Sequence, residues 1–162
     1  TAEGATKVVG GKVASSWQDK QRLGLAAELR VMSELLLLGH NPSRLVVQDG
    51  CDLLLENGTR IEVKGSHRIG HVQNDTRHTY KYRFSLNDGR AGKRGVDPLK
   101  VDFIIGWCVE DDVFYIIPAI ELRDITGVGV YATSEEPSKY AKVPSKYRKY
   151  REAWELIKSE GG

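Results

Sequence analysis

The sequence predicts an α/β (α+β) domain with one mixed central sheet flanked by helices. Three observations predict it. An apolar stripe at helical spacing opens at Ser15 or Ser16 and runs to Leu38. A series of short apolar or alternating runs follows, each bounded by turn residues. A second helical stripe, Tyr147, Tyr150, Trp154 and Ile157, closes the chain.

The first helix takes its cap from Ser15 or Ser16, with Asp19 in the first turn. Gly39 ends it and Pro42 follows. Ala27, Val31, Leu35 and Leu38 form the buried stripe, widened by Leu29, Met32 and Leu36. Glu28 sits beside that stripe. It is either an edge residue reaching solvent, paired with Arg22 or Arg30, or a carboxylate aimed at a partner.

Arg44 to Gln48 reads as the first strand. Gly50 to Arg68 then holds two apolar runs around Asn57-Gly58, a hairpin signal. Its register decides where Asp52 points. A two-residue loop would set Asp52 opposite Val63. A three-residue loop, Glu56-Asn57-Gly58 with Gly58 in the left-handed position, sets Leu55 opposite Thr59 and Asp52 opposite Glu62. The second register fits the chemistry better. It puts two carboxylates on one face roughly 5 Å apart at Cβ, with Lys64 two residues along. Carboxylates that close repel unless a cation lies between them, and Mg²⁺ is held by one or two carboxylates plus waters and phosphate oxygens.

Tyr80 to Leu86 alternates, with Tyr80, Tyr82, Phe84 and Leu86 toward the core and Lys81, Arg83 and Ser85 away from it. Val101 to Val109 and Val113 to Ile117 form a strand pair about the turn Glu110-Asp111-Asp112. Pro118 to Arg123 suits a helical turn, and 125–131 a short strand. Ser145 caps the final helix, from Lys146 to about Ser159. Residues 1–14 read as a flexible arm, 15–131 as the core domain, and 132–162 as a linker and a basic C-terminal helix packed on the core.

The chain has 162 residues, 40% hydrophobic and 28% charged, enough for one domain with its own core. No apolar run approaches the ~20 residues of a membrane helix, and no secretory signal pattern is present, so no membrane partner and a cytoplasmic location are expected. Cys51 and Cys108 lie far apart in apolar contexts and suit reduced, buried thiols. The net charge of +2 does not announce nucleic acid, but basic residues segregate. Lys81, Arg83, Arg90, Lys93, Arg94 and Lys100 cluster in mid-chain, and Lys139, Lys142, Lys146, Arg148, Lys149 and Arg151 near the end. Such segregation permits a basic face, or is ordinary solvated surface.

Asp52, nine intervening residues, then Glu62-Val63-Lys64 resembles the core motif of the PD-(D/E)xK nuclease superfamily, which includes type II restriction enzymes and Holliday-junction resolvases. The residue before the acid is Cys51 where that motif has proline. Gly-Leu-Ala-Ala-Glu-Leu-Arg-Val, around Glu28, looks like the helix that often lends such sites a further acid. The resemblance implies a restriction-endonuclease-like fold and a Mg²⁺-dependent DNA endonuclease, with Mn²⁺ able to substitute, leaving 5′-phosphate and 3′-hydroxyl ends. It implies Asp52, Glu62 and the Val63 carbonyl as metal ligands. Glu28 would act through water or on a second cation, and Lys64 would orient the attacking water.

Ser66 and Arg68 could touch the scissile phosphate, or merely finish the strand. His67 is a weaker proton carrier, and Gln73, in the polar stretch 70–79 with His71 and His78, a weaker contact. Arg90, Lys93 and Arg94, set among glycines, suit a flexible finger on the phosphate backbone or an ordinary surface loop. A junction resolvase, which needs a homodimer, and an inactive DNA-binding module are the alternative readings.

Overall fold

A computed structural model describes residues 16–46, 50–69, 81–86, 95–132 and 146–158. Expectations for the arm 1–14, for His71, Gln73 and His78, and for Arg90, Lys93 and Arg94 fall outside these residues.

Helix α1 spans Trp17–Leu37. Ser16 caps it: its side chain accepts from the Asp19 N–H, and the Asp19 carboxylate accepts from the Ser16 N–H. Ala27, Val31 and Leu35 are buried as the stripe predicts, whereas Leu29, Leu36 and Leu38 are exposed. The buried face is narrower than expected because α1 lies on β3 along a single line. An added Cβ at Gly65 would stand 2.9 Å from the Ala27 Cβ.

Five strands form the main sheet in the order β1-β2-β3-β5-β6. They are β1 (Ser43–Arg44), β2 (Leu53–Leu54), β3 (Arg60–Ser66), β5 (Phe103–Cys108) and β6 (Val113–Pro118). Only the β3–β5 pair is parallel, so the sheet is mixed. Of the expected first strand over 44–48, residues 47 and 48 lie outside the described residues; among those described the strand is Ser43–Arg44, and Val46 is 86% exposed. The single sheet expected is also incomplete. Strands β4 (Lys81–Ser85) and β7 (Gly127–Tyr131) pair with each other as a separate antiparallel ribbon.

The ribbon's Tyr82, Phe84, Val128 and Val130 pack on the sheet face that carries Ile104, Cys108, Tyr115 and Ile117. Helix α1 packs on the opposite face, over Leu53, Ile61, Val63, Ile105 and Ile116. The result is three layers with the sheet in the middle. The turn at Ala119–Leu122 is 3₁₀. Cys108 is fully buried, Cys51 partly, and both are reduced.

The C-terminal α-helix does not form. Residues 146–158 make two 3₁₀ turns, Arg148–Tyr150 and Trp154–Leu156, broken at Glu152 with φ 52°. The helical stripe lost to pairing at a sheet edge. Arg151 bridges Tyr115, the Glu152 N–H donates to the Phe114 carbonyl (2.7 Å), and the Glu152 carboxylate accepts from the Phe114 N–H (2.9 Å). A straight helix could not offer backbone groups to a strand edge, because its own turns consume them.

Candidate active site

The hairpin has the three-residue loop. Leu53 opposes Ile61 and Leu54 opposes Arg60, the register that places Asp52 opposite Glu62. The Leu55 carbonyl accepts from the Gly58 N–H (3.0 Å), and Gly58 has φ 86°, a backbone state that glycine adopts without strain. Asn57 fixes the turn further by accepting from the Thr59 N–H (3.0 Å).

Pairing with β2 stops at Ile61, while β3 continues to Ser66 with β5 on its other side. Among the described residues, β3 therefore faces a gap from Glu62 onward. Asp52 lies one residue before β2 and turns into that gap, its carboxylate accepting the Val63 N–H at 2.8 Å. The side chain thus lies near the sheet plane and not flat on one face, as the strand geometry alone suggested. The chain splays at this point, and the splay exposes a backbone donor that the carboxylate satisfies.

Glu62 and Lys64 share a face of β3, and their carboxylate and ammonium pair at 3.1 Å. Both are partly exposed. Burial is the main reason the Asp52 carboxyl is pushed up to about 6. The Val63 hydrogen bond and Lys64 work against that rise, and the charges of Glu28 and Glu62 add to it. Glu28, Asp52, Glu62 and Lys64 therefore belong to one electrostatic neighbourhood. Glu28 reaches it from α1, where its carboxylate accepts from Arg44 Nε at 2.6 Å. The sequence suggested Arg22 or Arg30 as its partner. Arg22 instead pairs with Asp19. Arg30 pairs with Glu34 and Asp112. Arg44 was missed because only the pairing of β1 with β2 carries it to α1.

No three His, Cys, Asp or Glu side chains stand together as a metal cage among the described residues. What is present is a carboxylate pair with an adjacent lysine, and a third acid held back by an arginine. That donor set is all oxygen, and its inner carboxylate holds a proton more tightly than usual chiefly because it is buried. Such a set suits a hard divalent cation that keeps several waters.

The strand exit is tied down. Ser66 Oγ donates to the His67 carbonyl (3.1 Å). His67 Nδ1 lies 2.8 Å from Glu110, whose other oxygen accepts the Arg68 N–H (3.0 Å). Arg68 pairs with Asp111, which also accepts from the Tyr82 hydroxyl. Burial opposes it, but His67 and Arg68 together hold the Glu110 carboxyl below its usual range. His67 and Arg68 thus anchor β3 to the β5–β6 turn. Asp102 is structural: its carboxylate takes the Arg60 N–H (2.8 Å) and guanidinium (3.0 Å), locking β3 to the start of β5. No helix among the described residues is long and apolar enough to cross a membrane.

No family model matches the chain, and no curated protein does. Among solved structures, the bacterial homing endonuclease I-Ssp6803I is similar, with a TM-score of 0.63 at 20% identity over 85% of this chain and 91% of that one. At that identity the likeness is one of fold, and it establishes a nuclease-like α+β architecture.

Proposed function

We propose that the chain is a DNA endonuclease of the PD-(D/E)xK kind, dependent on Mg²⁺ and using Asp52, Glu62 and Lys64. One observation carries the reading. The hairpin register sets Asp52 opposite Glu62 where β2 splays from β3, with the Lys64 ammonium paired to Glu62. The fold it shares with a homing endonuclease supports the reading from outside the site.

Asp52 and Glu62, with the Val63 carbonyl, would hold the cation. When bound, that cation would offset charge on a non-bridging phosphate oxygen and make a nearby water more acidic. Lys64 donates hydrogen bonds only, so it orients the attacking water and balances charge building on phosphate. The water oxygen bonds to phosphorus, the bond to the 3′ oxygen breaks, and that oxygen leaves with a proton. The products carry 5′-phosphate and 3′-hydroxyl ends. Glu28, whose carboxylate accepts from Arg44 Nε, would hold a cation-bound water or a second cation.

The test is a cleavage screen on linear, branched and single-stranded DNA with Mg²⁺ or Mn²⁺, using Asp52→Asn and Lys64→Ala as folded controls. Cleavage by the parent, lost in both, supports the reading. Cleavage unchanged in either variant, or none by the parent on any substrate, refutes it.

A further inference from the structure

We infer that the outer face of the β4–β7 ribbon is a docking surface for the backbone of duplex DNA, with Lys81 and Arg83 as its phosphate contacts. The inference rests on the endonuclease reading and extends it to a surface outside the β3 site.

The ribbon has two unlike faces. Tyr82, Phe84, Val128 and Val130 are buried against the sheet. The other face carries Lys81, Arg83 and Ser85 on β4, all exposed, and on β7 Gly127 and Gly129 with Tyr131. The glycines leave no side chains beside the two cations. An added Cβ at Gly127 would stand 3.0 Å from Arg83 Nη2, and one at Gly129 3.1 Å from Lys81 Cε. Both cationic chains therefore lie across the ribbon over bare backbone.

Among the described residues no carboxylate compensates their charge. Arg22, Arg30, Arg44, Arg60 and Arg68 each have a carboxylate partner. Among the described residues neither Lys81 nor Arg83 does. Two cations two residues apart on one strand face are spaced about 7 Å. A protein partner would want a buried aromatic or aliphatic centre, and this face has none beyond the half-buried Tyr131. A polyanion needs only the charge, and an antiparallel ribbon is narrow enough to lie along or in the major groove.

The ribbon is continuous with the proposed site. The Ile69 N–H donates to the Lys81 carbonyl (2.9 Å), so the chain leaving β3 pairs with the first residue of β4. Beneath the ribbon, the Phe84 ring lies against Gly106, the β5 partner of Lys64. The ribbon therefore neighbours the strand that holds Lys64, with its outer face turned away from the sheet.

The experiment measures binding of a fluorescent duplex by anisotropy, without divalent cations, across a range of salt concentrations. Lys81→Ala/Arg83→Ala should shallow the slope of log K against log salt by about 1.8, at ~0.9 per lost phosphate contact. Lys81→Arg/Arg83→Lys should keep the parental slope. Gly129→Glu, which sets a carboxylate beside Lys81 while removing no cation, should shallow it by about 1. Melting curves confirm that each variant is folded. If the cations only guard the ribbon from edge-to-edge association, the slopes stay unchanged and the alanine variant aggregates; that result overturns the inference. A parent that cuts DNA alongside an unchanged slope leaves the endonuclease reading standing and removes the ribbon. A parent that neither binds nor cuts any duplex removes both.

Discussion

At Asp52, burial holds one carboxyl above its usual range. Its folded-state value of about 6 lies above its ordinary value of 3.8. Between these values the folded chain binds a proton that the unfolded chain has released, so stability falls as pH rises through the window. Above it, the deficit is constant at roughly 2–3 kcal/mol. Asp52→Asn keeps an oxygen for the Val63 N–H and removes the charge. Without divalent cations at pH 8 it should raise the melting temperature, with little effect at pH 4. Mg²⁺ at about 100 times its Kd should stabilise the parent by ~2.7 kcal/mol and leave Asp52→Asn unmoved. Calorimetry in both conditions measures this; a variant no more stable than the parent at pH 8 would mean that Asp52 is well solvated. On the proposed reading, Lys64→Ala should lower single-turnover cleavage by about 10²–10³ while Mg²⁺ affinity holds or tightens, because the ammonium would repel a cation bound beside it. Loss of metal affinity in Lys64→Ala would instead make that lysine structural.

Between elements, one glycine sets the spacing of ribbon and sheet and another sets the turn of the hairpin. Gly106 on β5 lies under the Phe84 ring, with no room for a methyl group. Gly106→Ala should destabilise the fold by about 1–3 kcal/mol through overpacking. Phe84→Leu added to it should recover part of that loss, although Phe84→Leu alone should destabilise. A denaturant-derived double-mutant cycle reads the coupling, and strictly additive effects would show that the ring does not rest on Gly106. The hairpin works the same way. Gly58 at φ 86° allows the three-residue turn, and that turn sets the register that sends Asp52 toward Val63.

Across the whole molecule, the last segment clamps both cores. Tyr147 and Tyr150 are buried on the ribbon side, and Ala153 and Ile157 on the helix side. The chain passes between them over the edge of β6, where Glu152 takes up both hydrogen-bonding groups of Phe114. Ending the chain at residue 145 should therefore loosen both layers together. The expected result is lost near-UV dichroism and new binding of an apolar dye, not a folded core with a missing tail. A truncated chain that melts cooperatively at the parental temperature would show the clamp to be dispensable.

Wherever local chemistry is decisive, the sequence by itself determined the outcome. Ser16 and Asp19 cap α1, Gly58 closes the hairpin, and the alternation of Lys81 to Leu86 sorts buried from exposed side chains. The Asp52, Glu62 and Lys64 spacing was legible for the same reason: strand period and turn length fix register within a dozen residues. Contacts distant in sequence were decided only by the tertiary structure. Nothing near Tyr147 or Trp154 in the chain tells their stripe that a free strand edge will compete for Glu152, so the helix gave way. Nothing near β4 or β7 says that they pair with each other and leave the main sheet. Glu28 could not announce Arg44, sixteen positions away on another element. Periodicity reports which face of an element is apolar. Which partner covers that face depends on packing the whole chain at once, and that choice set both the splay beside Asp52 and the bare cationic face of the ribbon.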